Sequence, residues 1–176
     1  MTIKEMLLTP NQFSRPEKPL SAVKGLVIHY VANKNTTAAQ NRNFFENRKD
    51  GKSDYGSAHY IIGLKGEVIR CIPENEMAYH VGAKVYKEIA LKNLSSYPND
   101  CTIGIECCHI NDNGVMNSST YESLVSLTTD LCRRYNLDAQ KDVYLHYDVT
   151  GKNCHRFFVE NSKEWDAFKK EVYNKT

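Results

Sequence analysis

Apolar and polar positions along this chain alternate between strand-like and helix-like periods. Lys24-Gly25-Leu26-Val27-Ile28-His29-Tyr30-Val31 is a β-branched, aromatic run that predicts a buried strand. Thr37 followed by Gln40 is a capping-box signature; it opens a predicted helix reaching Asn47, with Phe44 and Phe45 on the inward face. Residues 49–56, rich in Gly, Asp and Ser, predict a loop. Residues 59–64 and 67–72 flank Lys65-Gly66 as a β-hairpin that ends at Pro73. From 74 to 100 the pattern is irregular and polar, with a short helix expected near 85–92. A loop-rich stretch of that length usually has a task.

Residues 102–108 predict another strand. Ser119 and Glu122 form a second capping-box signature. After it, Tyr121, Leu124, Val125, Thr128, Leu131, Cys132 and Tyr135 recur at helical spacing, predicting an amphipathic helix that ends near Asn136. A last short strand is expected over 143–146 and a final helix over 162–172, carrying Trp165 and Phe168. The first twenty residues contain Pro10, Pro16 and Pro19 and read as an irregular lead-in. Interleaved strands and helices predict an α/β fold: one central mixed β-sheet flanked by helices, in a single domain over 1–176 with its core in 21–172.

Composition narrows the function classes. The 176 residues are 41% hydrophobic and 25% charged, which suits a globular domain and excludes disordered and collagen-like chains. Twenty-three Lys and Arg against 21 Asp and Glu leave a net charge of +2, too balanced for a nucleic-acid binder. No run approaches the ~18 apolar residues of a membrane span, so no membrane insertion is expected. The first residues show no secretory signal pattern. The six cysteines lack any CxxC spacing and read as reduced thiols of a chain made in the cytoplasm. Cys107 and Cys108 fall on opposite faces of a strand and suit packing. A monomer is expected.

Three side chains stand out at strand ends and in loops, where function collects. His29 lies near the end of the first strand, His146 at the end of the last, and Cys154 in Gly151-Lys152-Asn153-Cys154. Two imidazoles and a thiolate brought together by a sheet make a three-ligand zinc site with an open position. Each histidine taken singly is more often a hydrogen-bonded structural residue. In Thr102-Ile103-Gly104-Ile105-Glu106-Cys107, period-2 alternation puts Ile103, Ile105 and Cys107 in the core and Thr102, Gly104 and Glu106 opposite. The small residues there leave room for a ligand. A carboxylate in such a place is costly unless paired or used. Lys152 shares the loop of Cys154, where a cation stabilises an oxyanion; a solvated surface lysine is the alternative.

Taken in order, Leu26-Val27-Ile28-His29-Tyr30, Ser57-Ala58-His59-Tyr60-Ile61-Ile62, Ala78-Tyr79-His80-Val81-Gly82, Ile103-Gly104-Ile105-Glu106, and His146 with Gly151-Lys152-Asn153-Cys154 resemble the zinc-dependent N-acetylmuramoyl-L-alanine amidases related to peptidoglycan recognition proteins. The resemblance runs from about residue 20 to 170 and is strongest to catalytic domains of phage endolysins and prophage autolysins of Gram-positive bacteria. It implies hydrolysis of the bond between N-acetylmuramic acid and L-alanine in bacterial peptidoglycan, with one Zn2+ per chain. It assigns His29, His146 and Cys154 as metal ligands, Glu106 as general base and acid, and Lys152 as oxyanion stabiliser. His80 matches a position lining the substrate cleft, while His59 reads as structural. His109 and His155 have no family role and read as surface residues. Ala58 stands where some relatives carry a catalytic tyrosine, which places proton transfer on Glu106. The resemblance also implies a protein held in the host cytoplasm until a membrane pore releases it to the wall. Two alternatives stay open: a non-catalytic peptidoglycan-binding module of the same fold, and a cysteine hydrolase using Cys154.

Overall fold

A run such as Leu26-Val27-Ile28 needs cover on both faces, and the chain provides it by setting that strand inside a sheet. In the computed structural model, which describes residues 2–176, the strands are β1 (Ile3–Glu5), β2 (Gly25–Tyr30), β3 (Tyr60–Ile62), β4 (Val68–Arg70), β5 (Thr102–Cys107) and β6 (Val143–Leu145). They form one sheet in the order β1-β4-β3-β5-β2-β6. Only the β3–β4 hairpin is antiparallel, so the sheet is mixed, as the interleaved pattern predicts. The helices are α1 (Ala38–Glu46), α2 (Glu88–Asn93), α3 (Ser118–Tyr135), α4 (His146–Thr150), α5 (Arg156–Glu160) and α6 (Ser162–Lys175). Among the described residues, no helix is long and apolar enough to cross a membrane.

Period-2 alternation sorts the central strands. Leu26, Ile28, Ile103, Ile105 and Cys107 pack beneath α3 and α6 with Leu124, Leu131, Phe168 and Val172. On the opposite face Leu8, Ala38, Ile61, Ile69 and Cys71 form one apolar cluster, which also holds Cys108. Val27, Val81, Ala90, Leu94 and Tyr144 form another. Cys107 and Cys108 thus part to opposite sides, and all six cysteines are free and buried.

Several expectations need correction. The lead-in, whose Met1 lies outside the described residues, is not wholly irregular. β1 adds an edge strand parallel to β4, and Leu8 is buried. Thr37 does cap α1 through a full capping box with Gln40. Phe44, however, is 60% exposed, because α1 meets the sheet through Ala38 and Asn41, with only Phe45 packed at the margin. α3 starts two residues earlier than the Ser119 signature suggests: Asn117 is its cap, its side chain accepting from the Thr120 N–H at 2.9 Å. His146 is not the last residue of β6 but the first of α4. His109 and His155 are 1% and 0% exposed, not surface residues, and both pack their rings against Tyr30.

Candidate active site

Parallel pairing of β2 and β5 sets His29 directly beside Glu106, and the in-register neighbours Val27 and Gly104 lie one step back. β6 enters on the other side of β2 and delivers His146 just past its end. The nine residues from His146 to Cys154 then close on themselves. The Leu145 N–H donates to the Asp148 carboxylate at 2.8 Å, starting a single helical turn. Gly151 ends that turn with φ of 85°, a conformation that favours glycine. The chain reverses, and the Tyr147 N–H donates to the Cys154 carbonyl at 2.8 Å. Local turn chemistry therefore returns the thiol to the imidazole.

The result is a convergence of three ligand atoms, one each from His29, His146 and Cys154, all buried and within 4.8 Å of one another. His29 Nδ1 stands 3.1 Å from His146 Nδ1 and 3.7 Å from Cys154 Sγ. A tetrahedral zinc ion, with bonds of about 2.0–2.1 Å to nitrogen and 2.3 Å to sulfur, needs separations of roughly 3.3 and 3.6 Å. The donor set fits a metal. Burial pushes His29 well below its ordinary range and His146 down to about 4, keeping both imidazoles neutral as ligation requires. Burial also pushes the Cys154 thiol up to about 12, with the Glu106 charge adding to it, while the Tyr30 backbone N–H and Lys152 favour the thiolate. Among the described residues no second group of this kind occurs.

The amino-acid sequence matches the N-acetylmuramoyl-L-alanine amidase family over residues 19–157. The chain belongs to that family. It is 36% identical over 163 residues to the N-acetylmuramoyl-L-alanine amidase CwlL of Bacillus licheniformis, covering 92% of this chain and 44% of that protein. It is 35% identical over 170 residues to the N-acetylmuramoyl-L-alanine amidase BlyA of Bacillus subtilis, again covering 92% of this chain and 44% of the relative. The chain thus spans less than half the length of the curated relatives it matches. Its fold is similar to the PlyG catalytic domain, with a TM-score of 0.77 at 22% identity, covering 99% of this chain and 94% of that one. It is similar also to PlyL, with a TM-score of 0.74 at 21% identity, covering 98% and 97%.

Within this amidase-family fold, the ligand cluster opens on a cleft of about 620 Å³ whose lining includes Glu106, His146, Lys152 and His80. One Glu106 oxygen is buried without a hydrogen-bond partner. Loss of solvation raises its carboxyl to about 8, with the Lys152 ammonium opposing the shift. Lys152 itself is exposed at the cleft margin.

The space that the small residues of β5 leave is not vacant. A Cβ on Gly104 would lie 2.5 Å from His80 Cγ, so the His80 ring fills it. His59 is structural, as expected: its Nε2 donates to the Glu76 carbonyl at 2.9 Å and its Nδ1 accepts from the Gly104 N–H at 3.0 Å. Ala58 is fully buried. Tyr30 and Tyr79 line the cleft, whereas Tyr60 lies in the core with its hydroxyl on Glu74.

Sequence reasoning missed much of the cleft wall. Phe44, Arg48, Tyr55 and Tyr97 also line the cleft, with Arg48 stacked over Phe44 at 4.8 Å. No local signal marked this wall, since helical periodicity had turned Phe44 inward.

Proposed function

We propose that this chain hydrolyses the amide between N-acetylmuramic acid and L-alanine in bacterial peptidoglycan, using Zn2+ held by His29, His146 and Cys154. The observation that carries this reading is the cluster of three ligand atoms within 4.8 Å, placed beside a carboxylate that spends one oxygen on no protein partner. Zinc bound there supplies Lewis acidity toward a carbonyl and acidifies water. Glu106 takes the proton of the attacking water and returns it to the leaving alanine nitrogen. Lys152 stabilises the negative charge that gathers on the amide oxygen as the carbon becomes tetrahedral. His80 offers the substrate only a ring edge, since both its nitrogens are engaged inward. The aromatic side chains of the cleft supply flat apolar faces for a sugar–peptide junction. The chain acts at the wall after release from the cytoplasm in which its thiols stay reduced.

A cysteine hydrolase needs a thiol that loses its proton readily, whereas burial holds the Cys154 thiol at about 12. The test is release of new L-alanine amino termini from purified peptidoglycan. Chelation should abolish release and added zinc restore it. Wall binding without release would make the chain a binding module, and full activity after chelation would make it a metal-free hydrolase.

A further inference from the structure

Behind His29, away from the ligand cluster, lies a buried row of polar groups whose protons can be counted. His29 Nε2 is 3.1 Å from His80 Nδ1. His80 Nε2 is 3.3 Å from the Thr102 carbonyl and 3.2 Å from Thr102 Oγ1. Thr102 Oγ1 donates its only proton to the Pro98 carbonyl at 2.6 Å. Both atoms facing His80 Nε2 can therefore only accept, so that nitrogen carries the proton. His80 Nδ1 is then a bare acceptor, and His29 Nε2 must be the donor that meets it. This leaves His29 Nδ1 as a lone pair, aimed at His146 and Cys154.

We propose that the Thr102–His80 row is a tautomer lock that presents His29 to the metal in its ligating form. His80 is thus a positioning residue, and the proposal rests on the reading of His29 as a metal ligand. The surroundings are built for it. Gly104 has no side chain because any Cβ there would strike the His80 ring. The Asn99 side-chain oxygen accepts from the His80 and Val81 N–H groups at 3.1 and 2.9 Å, fixing the backbone that carries the ring. Among the described residues no such row stands behind His146, whose Nδ1 faces His29 and which sits on a turn. The two histidine ligands are therefore held differently, one in a set tautomer and one by its place in the chain. Partners of this kind orient a ligand and raise its basicity, and losing one costs about 10–100-fold in metal affinity.

The first test needs no metal. Long-range nitrogen–proton NMR of the metal-free protein, with ring 15N labels, should show His29 as a single Nε2–H tautomer and His80 likewise. The second measures the zinc Kd by competition with a chelator. His80→Phe, which keeps a flat ring and loses the acceptor, should weaken binding about 10–100-fold. His80→Asn, whose amide oxygen can accept, should recover part of that loss. A His29 ring protonated at Nδ1 in the metal-free protein, or mixed between tautomers, overturns the proposal even if His80→Phe fails to fold. A folded His80→Phe variant with wild-type zinc affinity overturns it as well. Failure of the metal reading itself looks different: His29 would show the set tautomer while the wild-type protein bound no zinc.

Discussion

Along β5, Ile103, Ile105 and Cys107 point into the apolar layer beneath α3 and α6, while Thr102, Gly104 and Glu106 meet His80, His59 and the cleft. Both faces are buried, yet they are ordered by different means. On the first, side chains fill volume, and neighbours of similar size would serve almost as well. On the second, each ring nitrogen of His59 and His80 has an assigned partner, and one Glu106 oxygen has none. The lesson is that one strand can stabilise the fold with its odd positions and carry chemistry with its even ones. Changes on the two faces should therefore separate stability from activity.

The sharpest way to break that comparison is to remove a ligand. Cys154→Ser should bring the zinc content of purified protein close to zero and amino-terminus release to background, with a wild-type circular dichroism spectrum. A zinc-free variant that still cuts would take the metal out of the account. Glu106→Gln should keep zinc and lower turnover on the order of 10²–10⁴-fold. Its urea midpoint should not fall, because the residue it replaces holds a buried, unpartnered oxygen. Loss of folding in this variant would merge the two faces. Lys152→Ala should lower kcat by about 10²–10³-fold, the scale of one oxyanion donor. A rise in KM alone would make Lys152 a binding residue.

The apolar face should answer in reverse. Ile105→Ala should cost about 2–5 kcal/mol of stability in urea unfolding, with activity per folded molecule unchanged. The smallest effect belongs to Glu74, which does not line the cleft. Burial would raise its carboxyl, but hydrogen bonds from Arg134, Tyr135 and Tyr60 outweigh it and bring the value to about 2. Its folded value lies below the ordinary 4.5, so its stabilisation is present above that pH and fades as pH falls toward 2. The wild-type urea midpoint should be lower at about pH 3 than at about pH 6, and Glu74→Gln should flatten that difference.

The strands and long helices were legible because their burial is two-sided or one-sided in a regular period. Residues 24–31 and 102–108 read as strands on their own, and the Thr37 cap and the α3 stripe needed no distant partner. β1 was not legible, since Ile3–Glu5 shows no buried face and becomes a strand only by pairing with β4. Phe44 misled because periodicity places it inward, while α1 touches the sheet along a narrower line. His109 and His155 read as surface residues because nothing in their local sequence shows Tyr30 and Phe158 closing over them. The candidate residues His29, Glu106, His146, Lys152 and Cys154 were named by motif; in the fold Glu106, His146 and Lys152 line one cleft, and His29 and Cys154 converge with His146.

By itself, then, the amino-acid sequence determined the central strands and the long helices, which face of β5 would be apolar, and which side chains could bind a metal. These follow from periodicity, turn chemistry and donor type, all local along the chain. Only the tertiary structure decided that His80 fills the gap over Gly104 and stands behind His29, and that the cleft wall is aromatic. Those facts depend on contacts between residues 51 and 22 positions apart in the chain, from His29 to His80 and from His80 to Thr102. Hydrogen-bond partnership at such separations is set by strand order and register, which no local pattern encodes.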